Sequence, residues 1–192
     1  HAGKPLKNIT VCCDGKIVAG EIVLTKNGLE GSGIYPLSPQ IRNKLKTEGF
    51  AEIELDLKPA LSQPQILARI NAAQGNRKYS DQLRGNLNLT EVQMALLKAF
   101  VSKDVFLDPL KLSESIKKIK ISITGTAPVS EAISTVGGIS LSEVDDHFAL
   151  KKMKNHYAIG EMLSYDAPTG GYLLQSCFSM AACLAAHLNG RG

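Results

Sequence analysis

The residues best suited to chemistry lie in one stretch, 160–175, which reads Gly-Glu-Met-Leu-Ser-Tyr-Asp-Ala-Pro-Thr-Gly-Gly-Tyr-Leu-Leu-Gln. Pro168-Thr169-Gly170-Gly171 leads into a long apolar segment expected to be helical, and the first N–H groups of such a helix have no intrahelical partner. The helix dipole adds partial positive charge there, and Gly170 and Gly171 let a ligand reach the backbone without meeting a Cβ. An anion or the electron-rich edge of a reduced flavin suits such a terminus. Glu161, expected at a strand end, can accept a hydrogen bond from a sugar or ribityl hydroxyl. The same residues also describe a plain N-capped helix packed on a sheet with Glu161 in solvent, so both readings stay open from the residues alone. Gly137-Gly138 either brings main chain near a cofactor or makes a turn.

A second glycine cluster, Gly28 with Gly31-Ser32-Gly33, follows an expected strand. The third glycine of a dinucleotide fingerprint would stand at position 36, which is Pro36, and no suitably placed acid follows a βαβ unit. The cluster reads as a structural turn. The cysteines, Cys12, Cys13, Cys177 and Cys183, form no metal or disulfide pattern. Adjacent strand residues point to opposite faces, and two helical residues six apart are separated by about 9 Å along the axis. Buried reduced thiols are expected. His1, His147, His156 and His187 show no metal-ligand spacing.

A chain of 192 residues, 44% hydrophobic, is long enough for one good core or two small ones. Its net charge of +4, from 22 basic and 18 acidic residues, is mild. Lys117-Lys118-Lys120 and Lys151-Lys152-Lys154 have few aromatics beside them, which favours a solvated face over a nucleic-acid surface. No uninterrupted run of about 18 apolar residues occurs, so no membrane span is expected. His1-Ala2-Gly3-Lys4-Pro5 lacks the apolar segment of a secretory signal and reads as mid-chain sequence. A cytoplasmic protein with a missing amino-terminal portion is the expectation.

Hydrophobic period and turn chemistry place the elements. Strands are expected at 6–13 and 17–24, joined at Asp14-Gly15, and at 50–57, where apolar and polar residues alternate. Residues 25–36 read as turns and 38–46 as a helix ended by Gly49. Helices are expected at 63–73, at 90–101 behind a capping Thr90, and from Asp108-Pro109 to about 117. The polar stretch 74–88 reads as a loop. Residues 119–125 return to strand. A strand running into a tight turn is expected over 132–134 and 136–139, short strands at 148–153 and 156–159, and the longest helix at 172–189, about 27 Å long.

Thr135-Val136-Gly137-Gly138-Ile139, Glu143-Val144-Asp145, Gly160-Glu161 and Pro168-Thr169-Gly170-Gly171-Tyr172 with Gln175 together closely resemble the end of the BaiN-like (HI-type) FAD-dependent oxidoreductases, also called NAD(FAD)-utilising dehydrogenases. Upstream, Leu6-Lys7-Asn8-Ile9, Thr25, Gly28-Leu29-Glu30-Gly31, Tyr35 and Leu37-Ser38 resemble that family's inserted domain, closest to a branch of uncharacterised flavoproteins. Ser164, Ala167 and Leu173 stand where many members have Asp, Gly and Asn, and 148–153 replaces a segment common in the family.

The resemblance implies an α+β and α/β chain. Residues 1–126 would be a β-barrel-like inserted domain, with strands in 1–58 and 118–125 and a helical part in 60–117. Residues 127–192 would be the carboxy-terminal portion of a Rossmann-like FAD-binding domain. The implied cofactor is FAD, held by Gly137, Gly138, Gly160, Glu161, Thr169, Gly170, Gly171 and Tyr172, with NAD(P)H as a possible electron donor and a small-molecule substrate. The pyrophosphate loop would belong to the missing segment, so this chain alone is expected neither to retain FAD nor to be active. A non-catalytic binding or scaffold module, and a flavoprotein that keeps FAD structurally, are the rival readings. No side chain stands out as catalytic acid or base, and no metal, nucleic acid or membrane is expected as a partner.

Overall fold

The structure is a computed structural model and describes residues 3–26, 28–72, 78–132, 134–167 and 171–190. The chain divides into two compact units, His1–Thr126 and Ala127–Gly192. The first is a five-stranded antiparallel sheet, curled as a half-barrel, with helices on it.

Its strands are β1 (Pro5–Cys13), β2 (Lys16–Leu24), β3 (Leu29–Glu30), β4 (Ala51–Asp56) and β5 (Ile119–Ile123), in the order β3-β2-β1-β4-β5. Asp14 and Gly15 both have positive φ, 49° and 79°, so a two-residue turn whose twist suits a hairpin pairs Cys13 with Lys16. The alternation in β1 slips between Leu6 and Ile9, where the register with β2 shifts and Asn8 adopts a φ of 53°. This bulge returns Ile9, Val11 and Cys13 to the face that already holds Leu6. Along β4, Ala51, Ile53 and Leu55 are fully buried while Glu52 faces out.

The glycine cluster after β2 is structural. Gly31 has a φ of +112°, and a Cβ there would sit 2.5 Å from the Glu21 carbonyl oxygen. The Gly33 N–H donates to the same oxygen at 3.0 Å, and the Ser32 hydroxyl accepts the Glu21 N–H. The loop is thus folded onto its own strand, with the Gly33 N–H directed at that strand and those of Ile34 and Tyr35 donating to the Gly31 carbonyl.

Among the described residues six helices complete the unit: α1 (Ser38–Glu48), α2 (Gln63–Asn71), α3 (Tyr79–Asn86), α4 (Glu91–Phe100), α5 (Lys103–Leu107) and α6 (Pro109–Lys117). Capping residues fix most starts. Ser62 with Gln65 and Thr90 with Gln93 form reciprocal capping boxes, and Asp108 accepts the N–H groups of Leu110 and Lys111. The hydrogen bond from the Lys111 backbone, more than any other contact, holds the Asp108 carboxyl below the usual carboxylate range. Helix α3 corrects the loop expected at 74–88. Its sequence is polar, but Tyr79, Leu83 and Leu87 recur every four residues, and the latter two are buried. Tyr79 meets Phe106 edge-on at 6.0 Å.

The basic cluster before β5 is neutralised pair by pair: Lys118 meets Glu54 at 2.9 Å, and Lys120 meets Glu52 at 2.7 Å. Lys117 meets Asp56 at 2.5 Å and donates to the carbonyls of Lys58 and Leu61. That last ammonium is half-buried and closes the seam between α6 and the segment leaving β4.

The second unit holds a two-stranded parallel pair, β6 (Ile139–Ser140) and β7 (Leu163–Ser164), and the helix α7 (Gly171–Leu188). Its core is small: Val144, Ala158 and Leu163, with Ile139, Phe148, Leu150, Tyr165 and Met180 packed against them. The strands expected at 148–153 and 156–159 are reduced to single bridges, Val144 to Leu150 and Ala149 to Tyr157. Of the strand and tight turn expected over 132–134 and 136–139, Ile139 alone pairs among the described residues. Helix α7 departs from the expectation about apolar runs. Gln175, Ser176 and Ser179 interrupt it, but it carries no Asp, Glu, Lys or Arg and its mean hydropathy is 1.2, so it is long and apolar enough to cross a membrane by length and composition alone. The same composition occurs in core helices of globular proteins.

Three outcomes follow from this architecture. Gly31→Ala is expected to lower stability by about 2–4 kcal/mol in urea titration, from the left-handed φ and the collision with Glu21 together. The Gln93 amide donates to the buried Leu57 carbonyl at 3.1 Å while its oxygen accepts the Thr90 N–H, so Gln93→Ala strands two polar groups. It should cost about 2–3 kcal/mol against about 1 kcal/mol for Gln65→Ala in the exposed box of α2, measured by the same titration. Residues 124–128 are exposed and lie outside any helix or strand, so limited proteolysis should cut there first and release a resistant fragment ending near Thr126, identifiable by mass.

Candidate functional site

Gly137 and Gly138 have φ values of 115° and 118°. At Gly138 a side chain is excluded by the Met162 carbonyl, because the chain enters β6 directly against the start of β7. A Cβ on Gly137 would meet nothing within 4 Å, so its backbone is open to a ligand on that side. Gly160 and Glu161 lie in a 3-10 turn, Gly160–Met162, that precedes β7. Glu161 therefore stands at the entrance of a strand, not at the strand end expected from the sequence. Because β6 and β7 are parallel, Gly137-Gly138 and Gly160-Glu161 flank the same end of the pair. Gly171 and Tyr172 open α7 after the other end. Each strand is two residues long, about 7 Å.

The Glu161 side chain is exposed, and Tyr172 is 75% exposed. Gly171 has open space where a Cβ would be, and no acidic residue occupies the first turn of α7 to compete for an anion. Thr169 and Gly170, with Pro168, lie outside the described residues. Gln175, quoted for the resemblance, donates to the Ser179 hydroxyl one turn on, at 3.2 Å.

A polar cluster that the spacing of residues did not foretell joins the segment after β7 to α7. The Ser176 hydroxyl donates to the Leu173 carbonyl at 2.7 Å, leaving its oxygen to accept from the Tyr165 hydroxyl at 2.8 Å. The Cys177 sulfur is 3.7 Å from the same phenol oxygen, and the Gly160 N–H points to the Met180 sulfur at 3.3 Å. The Ser176 hydrogen bond opposes a rise in the phenol's pKa, but burial, Cys177 and the Glu161 charge outweigh it and push Tyr165 upward. Tyr165 therefore stays protonated and donates at neutral pH. Its partners lie more than ten residues away in the sequence.

Asp145 closes a turn by accepting the N–H groups of Ala149 and His147 at 2.9 Å each, and these two bonds hold its carboxyl below the usual range. It is thus a structural member of its motif. Among the described residues no group of three or more His, Cys, Asp or Glu side chains could hold a metal ion. Two surface hollows of the first unit, of about 620 Å³ around Arg84 and Glu91 and about 280 Å³ around Cys12 and Lys44, touch none of the candidate residues.

Residues 1–134 match the family model described as the HI0933-like protein barrel and H2TH domain. The match takes in the whole curled sheet and helices α1 to α6, and it extends over more than half of the 192 residues. The chain is therefore a member of the HI0933-like protein family.

Proposed function

We propose that this chain carries one wall of the FAD site of a flavin-dependent oxidoreductase. In this reading residues 1–126 are a domain inserted into the FAD-binding domain, and 127–192 are its returning carboxy-terminal segment. Family membership and the ordered glycine motifs support it. The observation that carries it furthest is the second unit's architecture: a strand–helix sequence with parallel pairing, yet with not one buried residue on the 18-residue α7. Parallel sheets are built with both faces covered, and a pair of two-residue strands has too little area to stand alone. More parallel strands, from polypeptide beyond these 192 residues, would use the open edges of β6–β7 and cover α7. That polypeptide would also bring the pyrophosphate-binding loop.

The chain's own residues have distinct parts in this proposal. Backbone N–H groups at the start of α7, at Gly171 and Tyr172, would face negative charge on the flavin edge. Thr169 and Gly170 belong to the same proposed set and lie outside the described residues. The Glu161 carboxylate would accept from a ribityl or ribose hydroxyl, with Gly160 setting its turn. Gly137-Gly138 would bring main chain close without side chains. When bound, the flavin supplies the electron-transfer chemistry, with NAD(P)H as the proposed donor, and the protein supplies orientation and electrostatics. Four unpaired thiols agree with a cytoplasmic setting.

Purified and equilibrated with FAD, the 192-residue chain is expected to retain no stoichiometric flavin by absorbance. Joined to a segment bearing Gly-x-Gly-x-x-Gly, the same residues should retain it, and Glu161→Ala should weaken FAD binding there by about tenfold or more, as loss of a charge-assisted hydrogen bond requires. Stoichiometric FAD on the 192-residue chain would overturn the division of the site. A joined protein that binds no flavin would overturn the whole reading.

A further inference from the structure

We propose that Tyr165 and Ser176 are positioning residues, which hold the turn carrying Glu161 against α7 so that its carboxylate meets a ligand in one place. The assignment deepens the flavin reading and rests on it for the identity of the ligand, a ribityl or ribose hydroxyl. The contacts that carry the positioning are independent of any flavin.

Residues 160–165 are fastened to α7 at both ends. At the first end the Gly160 N–H points to the Met180 sulfur at 3.3 Å, and a Cβ on Gly160 would stand 3.5 Å from the Cys177 sulfur. At the other end the Tyr165 hydroxyl meets the Ser176 oxygen at 2.8 Å, with the Cys177 sulfur 3.7 Å from the same phenol oxygen. Ser176 and Met180 are four apart on a helix and share one face, with Cys177 beside them. The Ser176 hydroxyl gives its one proton to the Leu173 carbonyl at 2.7 Å, so only an acceptor remains for Tyr165 and the direction of that bond is fixed.

Glu161 lies between these two fastenings, in the 3-10 turn opened by Gly160 at a φ of 67°. Two residues on, Leu163 is buried and paired with Ile139. The Glu161 side chain is exposed, but the backbone beneath it is held at Gly160, Leu163 and Tyr165. A flexible carboxylate recognises a hydroxyl well only when its backbone does not move, because the cost of ordering it has already been met. The Glu161 charge acts on the Tyr165 phenol, so the phenol reports where that carboxylate stands.

Titration of the Tyr165 phenol in the 192-residue chain reads this coupling without flavin, by NMR of the tyrosine rings, with Tyr165→Phe assigning the signal and circular dichroism confirming the fold at each pH. Glu161→Gln removes a negative charge and should lower the phenol pKa by about 0.3 pH unit or more. In a Ser176→Ala background, where the fastening is lost, that shift should shrink to about half or less, and Ser176→Thr, which keeps a hydroxyl, should restore it. An equal shift in the wild-type and Ser176→Ala backgrounds would overturn the proposal, as would a Ser176→Thr background that behaves like Ser176→Ala. In the joined protein described above, Tyr165→Phe should weaken FAD binding by about threefold or more and add little to Glu161→Ala, since both act on one contact. If Glu161→Ala weakens binding there and Tyr165→Phe does not, the positioning role fails while the flavin reading stands. A joined protein that binds no flavin overturns the flavin reading, and the titration alone then decides whether Tyr165 and Ser176 fix Glu161.

Discussion

Everything in the first unit depends on burial of one stripe of β4. Ala51, Ile53, Leu55 and Leu57 are all without solvent exposure, and the larger side chains among them each contribute about 1.5–3 kcal/mol by leaving water. The strand pairs with β1 on one edge and β5 on the other, so the stripe lies on the curled sheet's inner face one strand in from its β5 edge. At its end the Leu57 N–H donates to Ile116 of α6, and its carbonyl accepts from Gln93 of α4. Strand and helices are thus fixed to each other through one residue's backbone. Buried N–H and C=O groups need partners, and here the helices supply them.

Charge placement follows from that burial. With the apolar stripe inside, Glu52 and Glu54 take the outer side of β4, and the lysines of β5 and its approach come to rest against them. Exposed pairs of this kind add little stability in water. Their consequence is electrostatic: what looks in the sequence like a basic surface is a neutral ladder. Lys117 differs, since its half-buried ammonium answers Asp56 and two backbone carbonyls at the junction of sheet and helices.

The second unit is constrained in a different way. Three buried residues and two two-residue strands make a small core, and its longest element presents Leu174, Phe178 and Leu188 to solvent. Side chains at 173, 176, 177, 180 and 184 form the partly buried face of α7, which leaves an uncharged opposite face. Such a face is costly in water, and both the proposed FAD-binding domain and the apolar composition of the helix would account for it. The fixed points within the unit are specific contacts: Tyr165 on Ser176, Gly138 against Met162, and the His147–His187 stack.

Where physics acts within about four residues, the sequence alone determined the outcome. The Asp14-Gly15 hairpin, the alternating strand over β4, the capped starts at Thr90 and Asp108 and the long carboxy-terminal helix all follow from local backbone preference and side-chain period. Helix α3 escaped because its stripe, Tyr79, Leu83 and Leu87, is one residue wide and is stabilised by tertiary burial more than by amphipathic pattern. The bridges at 149 and 157 fell short of strands because, among the described residues, no neighbouring strand extends them. For the candidate site, the glycines and Glu161 were visible as residue types, but the placement of Gly137-Gly138 and Gly160-Glu161 at the same end of a parallel pair was not. Tertiary structure alone decided that Lys117 answers Asp56 across sixty-one positions, that Tyr165 reaches Ser176, and that two unremarkable histidines stack. Such contacts depend on where the intervening chain travels, and that path is set by the sum of many burials, which no spacing of residues records.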